Sequence, residues 1–114
     1  MGEDPFYHQR DRGFEFLVKL VERVKAETNL PVMISPGVVP KQVLIALAKA
    51  GADWYACYQE THNRQLFSQL RPNQSYDSRL LEKYFAKESG LLVEEGILTG
   101  VGESWVDVAT SMEV

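Results

Sequence analysis

Residues 51–64 constrain the fold more than any other part of this chain. They join a helix-ending glycine, Gly51, to a short apolar run over residues 54–58 and then to the polar cluster Gln59-Glu60-Thr61. A short apolar run with such borders is typical of a strand buried in a parallel sheet. In parallel α/β folds, ligands bind at the C-terminal ends of the strands. The segment therefore predicts part of a ligand site that includes this polar cluster.

The residues before this segment predict one helix, one strand and a second helix. Apolar residues recur at helical spacing over residues 12–27, with charged residues between them, and predict an amphipathic helix. Residues 32–35 are a short apolar run between two prolines and predict a buried strand. Pro40 suits the first turn of the next helix, and Gly51 ends that helix.

The second half of the chain repeats the alternation. A short helix is predicted over residues 64–70, and Ser75 is predicted to begin a longer helix that Gly90 ends. Residues 91–98 predict a third strand, and Ser104 is predicted to cap a last helix. The inner face of the longer helix is expected to consist of Leu80, Leu81, Tyr84 and Phe85.

These elements indicate an α/β chain with about three parallel strands and four helices. Two segments, ending at Gly51 and Gly90, each close a helix and lead into a strand, as repeated αβ units do. The chain has 114 residues, whereas a complete (βα)8 barrel needs about 250. We therefore expect residues 1–114 to be the central segment of a larger TIM-type barrel, an incomplete domain.

Composition excludes several classes of function. The formal net charge of -4 argues against non-specific nucleic-acid binding, which needs clustered lysine and arginine. No apolar run approaches the roughly 20 residues that span a bilayer, and the N-terminus lacks the pattern of a signal peptide. We therefore expect a cytoplasmic protein without nucleic-acid or membrane partners.

Single titratable residues offer weaker evidence. Cys57 is the only cysteine, so neither an intrachain disulfide nor a multi-cysteine metal site is expected, and an inert, buried thiol is the simpler interpretation. His8 and His62 are interpreted as solvated loop residues rather than metal ligands. Glu94 and Glu95 are adjacent on a predicted strand, so their side chains should point to opposite faces.

Several segments, taken in order, resemble the middle of a radical S-adenosylmethionine (SAM) enzyme barrel. These are Gly2-Glu3-Asp4-Pro5, the strand with its turn over residues 32–37, Tyr58-Gln59-Glu60-Thr61, Arg79, and the strand and turn over residues 96–103. The pattern is most similar to the biotin-synthase-like clade, first to the methylornithine synthases and then to the FeFe-hydrogenase maturases. The resemblance covers nearly the whole chain.

The resemblance implies a set of SAM contacts. Gly2 and Glu3 match the turn that offers backbone groups to the amino end of SAM. Glu60 matches a carboxylate that binds the ribose hydroxyls, and Arg79 matches an arginine that meets the SAM carboxylate. The pattern beside the adenine is matched by Gly96, Leu98, Gly100 and Glu103.

The resemblance also implies chemistry that this chain cannot perform alone. Enzymes of this family hold a 4Fe–4S cluster with a CxxxCxxC motif and cleave SAM reductively to a 5′-deoxyadenosyl radical, which acts on a small substrate. The motif is absent here, so the cluster is expected only in a full-length parent and the isolated chain should hold no metal and be inactive. For a methylornithine-synthase-like parent, the reaction is lysine to 3-methylornithine. Ser35, at the end of a strand, is a candidate substrate contact, whereas no catalytic residue is identified.

Two other functions fit the same pattern of elements. The chain is equally compatible with a piece of a non-radical (βα)8 enzyme, since fold does not determine function. It is also compatible with a non-catalytic α/β domain that acts through protein contacts. A partial barrel exposes sheet edges and an apolar face, which favour self-association.

Overall fold

The computed structural model describes residues 10–114, in which helices and strands alternate along the chain. The elements are α1 (Arg10–Thr28), β1 (Met33–Ile34), α2 (Lys41–Ala50), β2 (Trp54–Ala56), α3 (Arg64–Leu70), α4 (Tyr76–Glu88), β3 (Leu92–Glu94) and α5 (Trp105–Glu113). Gly2, Glu3 and His8 lie outside the described residues, so the predictions made for them stay predictions. The described part contains five helices, which correspond to the five helical segments predicted one by one, so the predicted total of about four was one too low.

The three strands form one parallel sheet in the order β1-β2-β3. Trp54 in β2 pairs with Met33 on one side and with Leu92 on the other. Successive parallel strands need crossover connections, and α2 makes the first, while α3 and α4 together make the second. The predicted α/β class with parallel strands is confirmed.

The strands are shorter than the apolar runs predicted. Regular pairing of β2 with β3 ends at Ala56 and Glu94, although residues up to 58 and 98 were expected to be extended. An isolated parallel bridge between Glu60 and Ile97 continues the contact. Glu60 has a φ of 71°, a left-handed conformation that cannot continue a regular ladder, so the two segments separate and meet again.

One face of the sheet packs against helices and forms the core. Tyr55 is fully buried there, and its hydroxyl donates to the Gly37 carbonyl at 2.6 Å. The buried apolar cluster around it consists of Phe14, Val21, Ile34, Val39, Leu44, Leu47, Ala52, Cys57, Ala86 and Leu91. At the edge of the core, Asp53 accepts from Lys25 Nζ at 2.8 Å and from the Val32 amide at 2.9 Å. This carboxylate therefore joins α1 to the segments that lead into β1 and β2.

The opposite face of the sheet is open. Met33, Trp54 and Leu92, which lie side by side across the three strands, are 54%, 39% and 56% exposed. A shallow cavity of about 280 Å³ on this face is lined by Pro31, Met33, Trp54 and Glu94. The described residues thus cover only one of the two sheet faces with helices.

Helix ends follow the predicted signals. Gly51 ends α2 with a φ of 111°, a conformation that glycine adopts without the steric cost of a Cβ. The Ser75 hydroxyl accepts from the Ser78 amide and caps α4. Ser104 forms a reciprocal capping box with Asp107 at the start of α5.

None of the helices found among residues 10–114 is long and apolar enough to cross a membrane.

The predicted inner face of α4 is wrong for Leu81 and Tyr84, whereas Phe85 is half-buried and packs against the core as expected. Leu81 and Tyr84 are 48% and 55% exposed. The side chains that α4 buries are Arg79, Glu82, Lys83 and Ala86. These four follow helical spacing too, and their charged groups find partners in the core and at the ends of β2 and β3. The prediction used only the spacing of apolar residues, so it missed the charged residues and indicated the neighbouring face of α4.

Candidate functional site

Polar side chains meet where β2 and β3 end. Gln59, Thr61 and His62 follow β2 and are all at least nine-tenths buried, and Arg79 and Lys83 reach them from α4. Buried polar groups of this kind need hydrogen-bond partners, because a buried group without a partner destabilises the fold by about 1–3 kcal/mol. Lys83 binds Gln59, His62 contacts Tyr76, and Arg79 donates to the Tyr58 carbonyl just before this cluster.

Glu60 lies at the turn that was predicted to carry the ligand site. Its carboxylate accepts from Arg71 Nη2 at 2.8 Å, and its side chain is only 14% exposed. Its backbone bonds to β3, with its amide donating to the Gly96 carbonyl at 3.1 Å and its carbonyl accepting from Leu98 at 2.7 Å. A left-handed φ in a glutamate is uncommon and typical of functional turns. These contacts hold the Glu60 backbone against the segment after β3.

Arg79 approaches the same turn from the first part of α4. Its Nε donates to the Tyr58 carbonyl at 2.8 Å, and its Nη1 donates to Gln74 Oε1 at 3.4 Å. Gln74 Oε1 also accepts from Arg71 Nη1 at 3.5 Å. One acceptor therefore links the two guanidinium groups, and the structure brings Glu60 and Arg79 into one array.

Arg71 is a member of this array that the sequence analysis missed. It follows α3 immediately and pairs with Glu60. Its Nε is buried and has no hydrogen-bond partner among the described residues. The only signal in the sequence was its place before Pro72, in the break between two predicted helices. No regular sequence spacing links a loop arginine at this position to Glu60, so the contact could not be predicted from the sequence.

A second layer of contacts lies behind the turn. The Gln59 amide donates to Glu95 Oε1 at 2.6 Å, and Gln59 Oε1 accepts from Lys83 Nζ at 2.6 Å. Lys83 also forms a close ion pair with Glu95. The remaining amide group of Gln59 donates to the Tyr76 carbonyl at 3.0 Å. Burial lowers the pKa of Lys83, while the bond to Glu95 opposes that shift.

His62 belongs to the same layer, and the prediction that it is solvated is wrong. It is 8% exposed, its Nδ1 lies 2.8 Å from the Tyr76 hydroxyl, and its Nε2 lies 3.9 Å from Glu95 Oε2. Burial lowers its pKa, and the Glu95 carboxylate only partly offsets that effect. The polar loop therefore folds inward, because Tyr76 and Glu95 provide partners for the imidazole.

Glu94 and Glu95 point to opposite faces of the sheet, as their adjacency predicted. Glu95 turns toward Lys83 in α4. Glu94 accepts from the Tyr58 hydroxyl at 2.6 Å and lines the cavity on the open face. Glu95 thus forms an ion pair with a residue of α4, and Glu94 lies on the open face of the sheet.

The other predicted site residues lie around this centre. Leu98 is 46% exposed and is joined to Glu60 through its backbone amide. Gly100 follows in a turn whose amide donates to Glu103 Oε1 at 2.6 Å. Ser35 is exposed and directly follows β1, so β2 separates it from Leu98 and Gly100. The structure therefore groups Glu60, Arg79 and Leu98 and leaves Ser35 at the far edge strand.

Cys57 is buried in the core, as expected. It is 2% exposed, and burial raises the pKa of its thiol. A neutral, inaccessible thiol is a poor nucleophile and a poor metal ligand. Within residues 10–114, no group of three or more histidine, cysteine, aspartate or glutamate residues has an arrangement that could hold a metal ion.

Comparison with curated proteins identifies relatives of this chain. It is 47% identical over 102 residues to the 3-methylornithine synthase of Methanosarcina acetivorans and 32% identical over 100 residues to the biotin synthase of Ehrlichia canis. These matches cover 90% and 88% of this chain. The chain spans only 28% and 30% of the length of those relatives. No family model matches the chain.

Solved structures give the same relationship. A crystal structure of methylornithine synthase matches 98% of this chain and 32% of its own chain, with a TM-score of 0.87 and 39% identity. The FeFe-hydrogenase maturase HydG matches 88% of this chain and 24% of its own, with a TM-score of 0.76 at 21% identity. The second likeness concerns the fold alone. The five helices and three parallel strands therefore correspond to part of a larger barrel.

Proposed function

Because this chain is homologous to a segment of radical SAM enzymes, among them methylornithine synthase and biotin synthase, we propose that it forms part of a SAM-binding wall. The observation that carries this proposal is the array around Glu60. The Glu60 carboxylate, in a left-handed turn at the ends of parallel strands, pairs with the Arg71 guanidinium. A second guanidinium, that of Arg79, donates to the Tyr58 carbonyl beside this turn and shares the acceptor Gln74 with Arg71. Ligand sites in parallel α/β folds lie at these strand ends.

The residues of the array fit the chemistry of SAM. Glu60 offers carboxylate oxygens, which suit ribose hydroxyl groups, and Arg79 offers a guanidinium, which suits the SAM carboxylate. Arg71 Nε is a buried donor without a described acceptor, and such a donor is costly unless an oxygen-rich group binds it. Leu98 and Gly100 form the adjoining backbone and are proposed to contact the adenine. Gly2 and Glu3 are proposed to bind the amino end.

The residues present do not fit the 4Fe–4S cluster. Three cysteines are required by the CxxxCxxC motif, whereas the chain has one cysteine, and it is buried. No step of the reaction is therefore assigned to a cluster bound by this chain. The role of these residues is to bind and orient SAM.

The proposed substrate is a small molecule, and lysine, converted to 3-methylornithine, is the specific proposal. It is supported by the 47% identical relative, which is named 3-methylornithine synthase. In a whole enzyme, SAM held by these residues would supply radical chemistry, with the reducing electron coming from a cluster that other residues would hold. Within this chain, Ser35 is the proposed substrate contact because it is exposed at the end of β1.

A chimeric enzyme provides the test. This segment would replace the homologous 102 residues of the Methanosarcina acetivorans 3-methylornithine synthase, and SAM affinity would be measured under anaerobic conditions. Glu60→Gln and Arg79→Lys should each weaken SAM binding by roughly tenfold, about 1.4 kcal/mol for a lost charged contact. Formation of 5′-deoxyadenosine should fall with the affinity.

Matched controls separate binding from folding. Glu88→Gln and Arg64→Lys change exposed residues of the same types, whose side chains are 64% and 63% exposed, and should leave SAM affinity unchanged. A folded chimera with Glu60→Gln and Arg79→Lys that binds SAM as tightly as the unsubstituted chimera would contradict the proposed site.

A further inference from the structure

The proposed SAM contacts leave unexplained one ion pair, between a buried lysine and a glutamate whose side chain is 36% exposed. Lys83 and Glu95 bind each other behind the Glu60 turn, and the side chain of Lys83 is only 8% exposed. Removing a lysine ammonium from water is costly, and hydrophobic residues of similar volume often stabilise a fold as well or better. The pair is therefore weak evidence of a stabilising role and invites another explanation.

Both members of the pair bind the same residue, Gln59, one through its backbone and the other through its side chain. Glu95 accepts from its backbone amide at 2.6 Å, and Lys83 donates to its side-chain oxygen at 2.6 Å. Gln59 itself is fully buried. Because Gln59 directly precedes Glu60, these bonds restrict the peptide that leads into the left-handed turn.

The same helix face carries the second proposed SAM contact. Lys83 lies one helical turn after Arg79 in α4, so the two side chains point the same way. Arg79 Nε donates to the Tyr58 carbonyl, while Lys83 donates to the next residue, Gln59. A shift of α4 relative to the strand would therefore move Arg79 and strain the Glu60 turn together.

We infer that Lys83, Glu95 and Gln59 are positioning residues, which set the distance between Glu60 and Arg79 for the ligand they bind. The inference rests on the proposed function, because it assigns a role to residues that touch the proposed SAM contacts. Hydrogen bonds that orient metal-binding side chains change affinity by about 10–100-fold when they are removed, and other binding sites also depend on such supporting contacts.

The first test uses the 114-residue chain without ligand. Lys83→Met should speed amide hydrogen exchange at residues 59–61 at least fivefold relative to the rest of the sheet, because the turn loses one of its anchors. Lys41→Met is the matched control, since Lys41 forms an exposed pair with Glu88, also in α4, at 3.4 Å. Exchange at residues 59–61 that is no faster than in the control would overturn the inference.

The second test is a double-mutant cycle in the chimeric enzyme. Lys83→Met should weaken SAM binding about tenfold when Glu60 is present and much less when Glu60 is already glutamine, because a positioning residue acts through the group it positions. Lys83→Arg, which keeps the charge and the donors, should restore most of the affinity. Equal losses in both backgrounds would indicate a general structural effect and overturn the inference.

A double variant distinguishes a loss of positioning from a loss of stability. Lys83→Met leaves Glu95 without its ammonium partner, so the chain carrying both Lys83→Met and Glu95→Gln is examined as well. It should unfold at the wild-type denaturant concentration or above, yet bind SAM as weakly as Lys83→Met. Wild-type affinity in this double variant would count against positioning, whereas wild-type affinity in Glu60→Gln alone would instead count against the proposed function.

Discussion

Gly96 shows how closely the segment after β3 approaches Tyr58, which precedes the Glu60 turn. A Cβ at this position would lie 2.8 Å from Cγ of Tyr58. Gly96→Ala should therefore destabilise the chain by about 1–3 kcal/mol through overpacking, measured by urea unfolding. The cost should shrink in a Tyr58→Ala background, where the ring is absent. An equal cost in both backgrounds would show that the ring is not its source.

Cys57 gives a second prediction for a single side chain. Because the thiol is buried and burial raises its pKa, the thiolate that reacts with disulfide reagents is scarce. Labelling with a chromogenic disulfide reagent at pH 8 should be at least 100-fold slower in the native chain than in 6 M urea. Rapid labelling under native conditions would show that the core around Cys57 opens readily.

Glu60 was predicted as a candidate site residue from its place after a buried strand as well as from a resemblance, whereas Arg79 was predicted from the resemblance alone. The structure brings the two residues together through Gln74, Arg71 and Tyr58. Arg71 and Lys83 were not identified, because each makes its contact across a separation that no local spacing encodes. The contact between Lys83 and Gln59 spans 24 residues and depends on how α4 lies on the sheet.

At the scale of elements, the two serine caps offer a matched comparison. Ser75 caps α4, which buries four side chains, whereas Ser104 caps α5, which buries none. Ser75→Ala should lower the free energy of unfolding by about 1 kcal/mol, since loss of an N-cap destabilises a helix that the fold needs.

Ser104→Ala is the control for this prediction. It removes the same kind of cap, but α5 contributes no buried side chain to the fold. We therefore expect lower helicity by circular dichroism with a change in global stability below about 0.5 kcal/mol. If Ser104→Ala destabilised the chain as much as Ser75→Ala, α5 would contribute more to the fold than its burial indicates.

Helix ends were the most predictable elements, and strand ends and helix faces the least. Gly51, Ser75 and Ser104 act through local backbone geometry, which neighbouring residues determine. The end of β2 instead depends on the left-handed turn at Glu60, and glutamate carries no strong preference for that conformation. The buried face of α4 depends on charged partners in other elements.

The stability of the whole molecule should depend on pH through His62. This imidazole faces Tyr76 and Glu95, with Lys83 beside Glu95, and its pKa in the folded chain lies below the unfolded value of about 6.5 because of burial. Below that unfolded value, the unfolded chain binds more protons than the folded chain. The free energy of unfolding should therefore fall as the pH decreases from 7.5 to 5.5.

The variant His62→Gln isolates this effect. Urea unfolding at several pH values should give a shallower dependence between pH 7.5 and 5.5 than in the wild type. Glu82, whose pKa burial raises, acts in the opposite direction, since its contribution to stability falls as the pH rises through about 4.5. It is present in both chains, so the difference between them reports His62. An unchanged slope in His62→Gln would refute the assignment.

The open sheet face should govern how the 114-residue chain behaves in solution. Met33, Trp54 and Leu92 form an apolar surface across all three strands, and within residues 10–114 β1 and β3 are the edge strands. Exposed apolar surfaces and unpaired edges favour association, so we expect sedimentation to show concentration-dependent oligomers.

The variant Leu92→Lys should shift these oligomers toward monomer. Leu81→Lys, which changes a leucine of similar exposure on α4, should not. If both variants behaved alike, the contact would lie elsewhere, and if the unsubstituted chain stayed monomeric at high concentration, the open face would not drive association.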